Sequence, residues 1–531
     1  MPKWTGGQAL AKSLLAEGVD TIFGLPGDQL MHALDALYDE RDHLRYITTR
    51  HEQATTYMAD GYARSSGRPG VAMVVPGVGV YNAAAGLATA YATCSPVLLI
   101  AGQVNRDGIG KRRGLLHDVH DQLEIVRPIT KWARRVLTAE AIPRSVQAAF
   151  AQLRDVPARP VEIEIPPEAF AESAEVELCK PLQPALSAGD PERLRQAALW
   201  LAKAERPLLY AGGGVVLGDA SQAFTALVEK LEATAVTSRD GKGGISARHS
   251  HYVGTAWVNR RLHPVIQDAD VILAVGTRLH NSGARPDQRV IHIDANPDEP
   301  GTNFPGAYGI VADARLALEA LLIELDGSPA RSSRARALQE IRSGVDAELR
   351  KVGPQAALVD SLRGALPDET IVVAGTTTVG YMSHMLFPVY EPRTYLSSSY
   401  MGTLGFAFPT ALGAKVARPE RPVVSLIGDG GFLFAASELS TAVQYDIAAV
   451  TVVFNDNAYG NSNRDQRERF GGREIGTVLR NPDFAALARA FGADGTKIDG
   501  VTQLGDALRE ALAGGRPALI ECPMDRLPSP F

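Results

Sequence analysis

Residues 421–460 read RPVVSLIGDGGFLFAASELSTAVQYDIAAVTVVFNDNAYG, and this stretch decides the fold. A β-branched run at 421–427 is followed at once by the turn GDGG, a helical stretch over 432–445 and a second apolar run at 448–454. Two buried strands joined by one helix are expected to lie parallel, so their carboxyl ends meet at one edge of the sheet. Asp429 and Asp456 follow these strands and are therefore predicted to converge.

Two carboxylates at such an edge predict a site for a cation and a phosphate group. Mg²⁺ takes oxygen ligands and shares its coordination sphere with phosphates, while glycine amides at the start of a helix bind the anion. The residues expected to hold a magnesium diphosphate are Gly428, Asp429, Gly430, Gly431 and Asp456. The alternative is that GDGG is only a tight turn in which Asp429 caps the following helix.

The same alternation of apolar runs, helical stretches and glycine turns occurs three times along the 531 residues. It restarts at RPLLYAGGG and at TIVVAGTTTVG, after polar connections at 171–192 and 326–344. We predict an α/β protein of three domains, each with a central, mostly parallel sheet flanked by helices, over residues 1–175, 190–328 and 352–531. The second connection is expected to be a helical linker, and no repeat of fixed period is visible.

Composition excludes several classes of protein. Apolar residues make up 45% and charged residues 21% of the chain, the usual balance of a folded globular protein. The 54 basic and 60 acidic residues give a net charge of −6, so nothing favours nucleic acid or an anionic membrane as a partner. The three cysteines lack CxxC spacing, and no apolar run suits a signal peptide or a membrane span. We expect a cytoplasmic protein that acts on small molecules.

The turn and the second strand end together resemble a known signature. Gly428-Asp429-Gly430, followed after 24 residues by Asn455-Asp456, is similar to the GDG and NN signature of enzymes that depend on thiamine diphosphate. The resemblance implies that Asp429, Asp456 and the main-chain carbonyl of Ala458 hold Mg²⁺. Asp456 departs from the pattern, which usually has asparagine there. An aspartate is still expected to bind the metal, with a different charge balance at the diphosphate.

A second segment carries the same resemblance. RHEQATTYMADGYAR at 50–64 is similar to the segment that supplies a buried glutamate in these enzymes, and it places Glu52 after an apolar strand and at the start of a helix. The resemblance implies that Glu52 hydrogen-bonds the aminopyrimidine of the cofactor and thereby activates its reactive carbon. The alternative from the residues alone is an acid favoured in the first helical turn by the helix dipole.

Further stretches extend the resemblance over essentially the whole chain. Residues 23–28, 76–91, 95–104 and 121–133 resemble acetolactate synthase, benzaldehyde lyase and pyruvate decarboxylase. MGTLGFAFPTALGAK at 401–415 resembles the segment that bends the cofactor; this implies that Leu404 wedges against it and that the carbonyl of Gly402 accepts a hydrogen bond from it. Ordinary core packing is the alternative for Leu404. The implied domain order is pyrimidine-binding (PYR), middle and diphosphate-binding (PP).

Asp28, Gln29 and His117 are the residues expected to face the substrate. Asp28 stands where pyruvate decarboxylases carry a catalytic aspartate, and Gln29 where benzaldehyde lyase carries a histidine. His117 falls near a histidine of pyruvate decarboxylases, so the resemblance implies a proton relay between Asp28 and His117, a residue that suits acid–base work at neutral pH. The alternatives are a helix N-cap at Asp28 and a solvated loop at His117.

The resemblance implies an enzyme that uses thiamine diphosphate and Mg²⁺ to decarboxylate a 2-oxo acid, or to form or cleave acyloin- or acetolactate-type bonds, through an enamine. Ser462, Asp118 and Val119 depart from the residues of pyruvate decarboxylases and acetolactate synthases, so donor and acceptor stay open. The alternatives are a flavin-dependent 2-oxo acid oxidase and a cofactor-binding protein without turnover. The run at 212–214 is weak evidence for FAD, which is possible but not favoured.

Quaternary structure is also implied by the resemblance. Relatives pair the PYR domain of one chain with the PP domain of another, so Glu52 and the GDG turn are expected to meet between subunits. We therefore expect a homodimer or homotetramer with its sites at the dimer interface.

Overall fold

The protein contains three six-stranded sheets, one in each third of the chain. A computed structural model describes residues 2–530, and every strand pairing within these sheets is parallel. Helices cover the faces of each sheet, as expected when strands are joined by crossover helices. The predicted α/β architecture is confirmed.

The first domain contains β1 to β8 and α1 to α7. Its strands are β1 (Lys3–Thr5), β2 (Thr21–Gly24), β3 (Arg45–Thr48), β4 (Gly70–Val74), β5 (Val97–Gly102), β6 (Trp132–Arg135), β7 (Val161–Ile165) and β8 (Ser173–Glu175). Its helices are α1 (Gly6–Ala16), α2 (Met31–Asp39), α3 (Glu52–Ser66), α4 (Val78–Ala92), α5 (Gln122–Val126), α6 (Ile142–Arg154) and α7 (Pro167–Ala171). β1 and β8 form a separate antiparallel pair, so the beginning of the first polar connection is ordered against the N-terminus.

The middle domain contains β9 to β14, and a linker helix follows it. Its strands are β9 (Pro207–Ala211), β10 (Thr234–Thr237), β11 (Tyr252–Thr255), β12 (Val271–Val275), β13 (Arg289–Asp294) and β14 (Tyr308–Val311). Its helices are α8 (Pro191–Lys203), α9 (Gly213–Leu217), α10 (Ser221–Leu231), α11 (His263–Asp268) and α12 (Ala314–Glu324), with α13 (Ala335–Arg350) in the linker. The second connection is therefore helical, as predicted, and α13 buries Leu338 and Leu349 in a core shared by the middle and third domains.

The third domain contains β15 to β20 and α14 to α21. Its strands are β15 (Ile371–Ala374), β16 (Tyr395–Ser397), β17 (Val423–Gly428), β18 (Val450–Asn455), β19 (Asp494–Lys497) and β20 (Ala518–Pro523). Its helices are α14 (Pro354–Ala365), α15 (Thr378–Leu386), α16 (Ala407–Ala417), α17 (Asp429–Leu433), α18 (Leu439–Gln444), α19 (Gly460–Arg469), α20 (Phe484–Ala490) and α21 (Leu504–Gly514).

The first and third domains share one topology. Their sheets run β3-β2-β4-β5-β7-β6 and β16-β15-β17-β18-β20-β19, which is the same order when each sheet's strands are numbered from its own first strand. The middle sheet runs β11-β10-β9-β12-β13-β14, the doubly wound order of dinucleotide-binding folds. In all three, a ligand is expected at the carboxyl ends of the strands, where the strand order reverses.

The two topologically equivalent helices, α3 and α16, pack against each other and join the first domain to the third. A Cβ on Gly61 of α3 would lie 2.0 Å from the main-chain oxygen of Thr410, and a Cβ on Gly413 of α16 would lie 1.9 Å from that of Met58. Both helices therefore contact each other through their main chains, which only glycine permits at such distances. The apolar core beneath this contact contains residues of both domains.

No helix within residues 2–530 combines the length and the apolar character that a membrane span requires.

We expect Gly61→Ala and Gly413→Ala each to lower the free energy of unfolding by about 2 kcal/mol or more, because an added methyl group forces the two helices apart. Gly344→Ala is the matched control, since Gly344 lies in exposed α13 with open space around its Cβ position. That control should leave stability unchanged or raise it by about 1 kcal/mol. Urea unfolding of the three variants checks this, and equal effects at all three positions would contradict the packing argument.

Candidate active site

The carboxyl ends of β17 and β18 bring Asp429 and Asp456 to one edge of the third sheet. The strands are adjacent and parallel, with Gly428 paired to Phe454. Asp429 is the first residue of α17, and Asp456 directly follows β18. Gly428 is the N-cap of α17 and no side chain caps that helix, so the alternative in which Asp429 acts as the cap is wrong.

The helical stretch predicted over 432–445 is interrupted in the structure. α17 ends at Leu433, a 3-10 turn spans Ala436–Glu438, and α18 begins at Leu439. The interruption has a function in packing, because it directs the side chain of Glu438 towards the first domain.

The electrostatics of the two aspartates favour a cation between them. Asp429 is 2% exposed, and burial raises the pKa of its carboxyl group against an opposing hydrogen bond from Asn481. Burial and the nearby charge of Asp429 together raise the pKa of Asp456 to about 6. The charge of Asp429 thus disfavours ionisation of Asp456, and a divalent cation bound between them would offset that repulsion.

Asn481 completes this edge, and sequence reasoning missed it. Its Nδ2 donates to Asp429 Oδ2 at 2.6 Å and to Asn455 Oδ1 at 3.0 Å. Its own Oδ1 is buried without a hydrogen-bond partner among the described residues, which leaves an acceptor oxygen beside the carboxylates. The available signal was the NPD turn at 481–483 before α20, which resembles an ordinary helix start.

The main chain at Ala458 is fixed in place beside Asp456. Ala458 forms an isolated antiparallel bridge with Val478, and its N–H donates to Asp456 Oδ1 at 3.2 Å. The preceding residue, Asn457, has a positive φ of 52°, which turns the chain sharply after β18. The main chain at Ala458 is therefore fixed beside Asp456, at the position where the resemblance implies a metal ligand.

Glu52 lies at the start of α3 and is 7% exposed. Its Oε2 accepts a hydrogen bond of 2.9 Å from Asn82 Nδ2 of α4. The N-terminus of α3 provides a favourable electrostatic environment for a carboxylate, and His51 caps the helix by accepting from the N–H of Gln53. Glu52 is thus a buried acid on the carboxyl edge of the first sheet with one side-chain partner.

Glu438 of the third domain holds the segment that leads into Glu52. Its carboxylate accepts from the main-chain N–H groups of Arg50 and His51, both at 3.0 Å, and from Thr441 Oγ1 at 2.6 Å. Burial raises the pKa of Glu438, and these hydrogen bonds oppose the rise. Hydrogen bonds within one chain therefore join the loop before Glu52 to Glu438, which lies nine residues after Asp429 in the sequence.

The segment at 402–404 borders the same region. Gly402 has a φ of +61° and open space at its Cβ position. Thr403 Oγ1 lies 3.1 Å from Thr89 Oγ1 of α4, so this segment contacts the helix that carries Asn82. Leu404 is only half-buried and belongs to none of the buried clusters described, which disagrees with ordinary core packing as its role.

His117 pairs with Gln29 and not with Asp28. His117 Nδ1 lies 3.2 Å from Gln29 Oε1, while Asp28 is exposed on the first residue of a 3-10 turn. The predicted relay between Asp28 and His117 is absent from the hydrogen bonds of the described residues. The N-cap alternative for Asp28 is also wrong, because Gly27 occupies that position and no side chain caps the turn.

Comparison with known proteins gives three matches in the order of the domains. Residues 4–125 match the model of the thiamine pyrophosphate enzyme N-terminal TPP binding domain, 194–321 the central domain and 374–522 the C-terminal TPP binding domain. The chain belongs to the thiamine pyrophosphate enzyme family. It therefore carries both domains with which this family binds thiamine diphosphate, another name for the same cofactor, in the order PYR, middle and PP.

Curated relatives cover almost the full length of this family member. It is 36% identical to a probable 2-ketoarginine decarboxylase of Pseudomonas aeruginosa, over 97% of this chain and 93% of that protein. It is 33% identical to a probable acetolactate synthase large subunit of Methanocaldococcus jannaschii, over 98% and 92%. It is 29% identical to a sulfoacetaldehyde acetyltransferase of Castellaniella defragrans, over 96% and 90%.

The residues at the edge of the third sheet fit the family's cofactor. Gly428 has an ordinary φ of −79°, and its Cβ would meet Thr377 only at 3.5 Å, so neither conformation nor packing requires glycine there. The bare main chain therefore leaves space for a phosphate group. No group of three or more metal-binding side chains of His, Cys, Asp or Glu occurs within residues 2–530. A metal at Asp429 and Asp456 would thus depend on main-chain and phosphate oxygens as well.

A cavity of about 250 Å³ lies where the three domains meet. Arg159 of the first domain, Arg278 and Asp294 of the middle domain, and Tyr400 of the third line it. The guanidinium of Arg278 lies 4.7 Å from the centre of the Tyr400 ring, and burial raises the pKa of Asp294 to about 6. The lining is mostly apolar with these charged side chains set into it, and the volume suits part of a nucleotide.

The glycine run beside this cavity is explained mostly by packing. A Cβ on Gly212 would lie 1.9 Å from the carbonyl oxygen of Gly276, and one on Gly214 would lie 2.7 Å from Gly276 Cα. A Cβ on Gly213 would instead meet Asp240 at an ordinary 3.4 Å, and Gly213 lines the cavity. Gly212 and Gly214 therefore allow the chain after β9 to pack closely against Gly276, the residue that follows β12.

We expect Glu438→Leu to free the loop before Glu52, because two main-chain N–H groups lose a charged acceptor, and each such hydrogen bond contributes about 1.5–3 kcal/mol. Hydrogen exchange of the peptide containing Arg50 and His51 should accelerate at least about tenfold. Glu438→Gln keeps one acceptor oxygen and is the matched control, with a smaller effect. Unchanged exchange in Glu438→Leu would show that the hydrogen bonds do not hold the loop.

Proposed function

We propose that this protein uses thiamine diphosphate and Mg²⁺ to act on a 2-oxo acid, by decarboxylation, by carboligation with a second carbonyl compound, or by both. The position of Glu52 is the main support. It is a buried carboxylate on the carboxyl edge of the PYR domain, and its loop is bonded to Glu438 of the PP domain. No salt bridge joins Glu52 to a basic side chain within residues 2–530, and a buried acid of this kind in a cofactor-binding domain suits proton transfer better than a stabilising role.

The proposed roles of the other residues follow from their positions. The bound cofactor supplies a nucleophilic carbon and an electron sink for the carbonyl substrate. Asp429, Asp456 and the carbonyl of Ala458 would hold Mg²⁺, and the main chain at 428–431 would hold the diphosphate. Glu52 would hold and move a proton at the aminopyrimidine, and Gly402 and Leu404 would border that ring system.

Substrate binding is assigned to the loops at 25–30 and 103–121. His117 exchanges a proton with an oxygen of the substrate, and Gln29 and Asp28 lie in the facing loop. The relatives' names specify decarboxylation of a 2-keto acid in one case and synthesis of acetolactate in another. Both names fit a carbonyl substrate at this position, and the choice between decarboxylation and ligation is open to experiment.

We also propose a homodimer or homotetramer with the sites at the dimer interface. Large apolar side chains remain exposed on both cofactor domains of the single chain, among them Tyr81 on α4 and Phe434, Ile475 and Val478 in the PP domain. Tyr81 is adjacent to Asn82, the partner of Glu52, so this exposed surface continues into the site. A second chain covering it would remove apolar area from water and exclude water from Glu52.

A second candidate is a flavin-dependent 2-oxo acid oxidase, and the cavity where the three domains meet is the observation that favours it. Flavin absorbance and oxygen consumption by the purified protein would support an oxidase, whereas a colourless protein would count against this candidate. A third candidate binds the cofactor without turnover; the presence of Glu52 speaks against it.

The deciding experiment incubates the protein with Mg²⁺, thiamine diphosphate and panels of 2-oxo acids and aldehydes. NMR spectra then show hydroxy ketones, free aldehydes or neither. Hydroxy ketones or aldehydes support the proposal and identify the donor. Tight calorimetric binding of the cofactor with no product from any donor would instead support the candidate without turnover.

We expect Asp429→Ala to weaken Mg²⁺-dependent retention of thiamine diphosphate by about 100-fold, because it removes a buried ligand. Asp456→Asn is the matched variant, because it removes the charge repulsion with Asp429 but keeps an oxygen ligand. The metal-free variant should melt at a higher temperature than the unmodified protein. Its affinity for thiamine diphosphate in the presence of Mg²⁺ should change by less than about tenfold. Calorimetric titration and thermal melts test both. Unchanged affinity in Asp429→Ala would overturn the metal assignment.

We expect Glu52→Gln to retain the cofactor within a few-fold but to lower turnover by about 100-fold or more, the usual effect of removing a proton-transfer group. Glu192→Gln is the matched control, because Glu192 is also in a first helical turn but is exposed on α8. Steady-state rates and cofactor titration check the prediction. Near-normal turnover in Glu52→Gln would remove Glu52 from this role.

Mixing the two inactive variants tests whether the site is shared between chains. If Glu52 of one chain serves the PP domain of another, a mixed dimer of Glu52→Gln and Asp429→Ala chains contains one intact site, and random exchange restores about a quarter of normal activity. If each chain builds its own site, mixing restores none. The oligomeric state is measured on the same samples by sedimentation.

A further inference from the structure

The side chains of Gln29 and His117 form a pair that the proposed function uses only in part. Gln29 is 6% exposed, and its amide makes two contacts with the facing loop. Its Nε2 donates to the main-chain oxygen of Leu116 at 3.1 Å, and its Oε1 lies 3.2 Å from His117 Nδ1. One amide group thus contacts two successive residues of the loop that carries the histidine.

These two contacts determine which ring nitrogen of neutral His117 carries its proton. The carbonyl oxygen of Leu116 can only accept, so the nitrogen end of the Gln29 amide must face it. The oxygen end is then directed at His117 Nδ1, and because that oxygen also only accepts, Nδ1 must be the protonated nitrogen. The other tautomer would place two acceptors 3.2 Å apart. Nε2 is therefore left with a free lone pair.

The loop that carries His117 is fixed independently of this pair. His117 has a φ of +67°, in the left-handed region, and a Cβ on Gly77 would lie 2.3 Å from the His117 carbonyl oxygen. The N–H of Gly77 also donates to Gln122 Oε1 at 2.8 Å, which ties the end of the loop to the same turn. This turn starts α4, the helix whose Asn82 holds Glu52. His117 and Glu52 are thus both anchored to the first turns of α4.

We propose that Gln29 is a positioning residue that holds neutral His117 as the Nδ1–H tautomer, so that Nε2 is the ring atom that accepts a proton from a substrate hydroxyl group and returns it. Gln29 makes no contact with substrate in this role. When Nε2 takes up the proton, Nδ1–H continues to donate to the same amide oxygen. Proton transfer in either direction therefore requires no rearrangement of the pair. This inference rests on the proposed function for its substrate, but not for its tautomer.

The surroundings of His117 contain other charged groups that enter its pH dependence. Asp28 lies beside Gln29 in the facing loop, and Asp118 is the next residue in the chain, with Oδ2 accepting from the N–H of Gly114. Arg112 donates to His120 Nδ1 at 3.3 Å in the same loop. None of these groups forms a hydrogen bond with the His117 ring among the contacts of the described residues, so Gln29 is the group that selects the tautomer.

The test reads the tautomer directly, without turnover. Long-range ¹H–¹⁵N spectra are recorded on full-length protein labelled with ¹⁵N-histidine, with Mg²⁺ and thiamine diphosphate added, and the His117 signals are assigned by their loss in His117→Gln. We expect a protonated Nδ1 and an unprotonated Nε2 in the unmodified protein. Gln29→Leu should give a mixture of tautomers. The opposite tautomer in the unmodified protein, or an unchanged single tautomer in Gln29→Leu, would overturn the proposal.

Two further variants separate positioning from simple loss of structure. Gln147→Leu is the matched control, because Gln147 also donates to a main-chain oxygen, that of Lys180, on the exposed side of the same domain, and it should leave the tautomer unchanged. Gln29→Glu keeps an acceptor at Nδ1, so it should keep the Nδ1–H tautomer of His117. A mixture of tautomers in Gln29→Glu like that in Gln29→Leu would contradict positioning.

Kinetics on a substrate from the panel complete the test. Gln29→Leu should lower kcat by about tenfold or more with little change in KM, and the double variant with His117→Gln should be no slower than His117→Gln alone. Additive losses would show that Gln29 acts independently of His117. If the panel yields no product, the proposed function fails, while the spectra still decide the role of Gln29.

Discussion

Direct main-chain contact between α3 and α16 is the constraint on which the rest of the site depends. Gly61 and Gly413 let the two helices approach until a side chain at either position would overlap a carbonyl oxygen. The two cofactor domains therefore have one preferred arrangement within the chain, since any sliding would bring other residues with side chains into the contact. The hydrogen bonds from Glu438 to the loop before α3 extend this fixed arrangement to the first residue of that helix, Glu52.

The shared topology of the first and third domains explains why these two helices meet. Each follows the second strand of its sheet and precedes the third, so the contact joins equivalent elements of two similarly folded domains. The functional groups at the carboxyl edge differ between the two sheets. In the third domain it presents bare main chain and two aspartates, whereas in the first it presents Glu52 and His117. Under the proposed function, similar scaffolds would provide phosphate and metal binding on one side and proton transfer on the other.

Local features of the sequence were sufficient to predict the strands and the place of Glu52 at the start of a helix, because each depends on neighbours in the chain. The predicted turn at 428–431 is instead a direct junction, since Gly428 ends β17 and Asp429 begins α17. The contacts that fix these groups depend on distant residues and left no readable signal. Glu438 lies in an ordinary helical pattern, and its role appears only because the helix breaks before Leu439. Asp28 was favoured over Gln29 as the partner of His117, although adjacent residues point in different directions and only the loop conformation selects between them.

The identity of residue 456 illustrates how a local departure is accommodated by a distant group. An aspartate there adds a negative charge beside Asp429, at the edge where the proposed function places the diphosphate. The guanidinium of Arg526, in the segment after β20, lowers the pKa of Asp456 and opposes the effects of burial and of Asp429. Arg526 is held in turn by Glu474, at 3.4 Å. A cation seventy residues further along the chain therefore offsets part of the effect of burial and of Asp429 on Asp456, and a divalent metal bound there would act in the same direction.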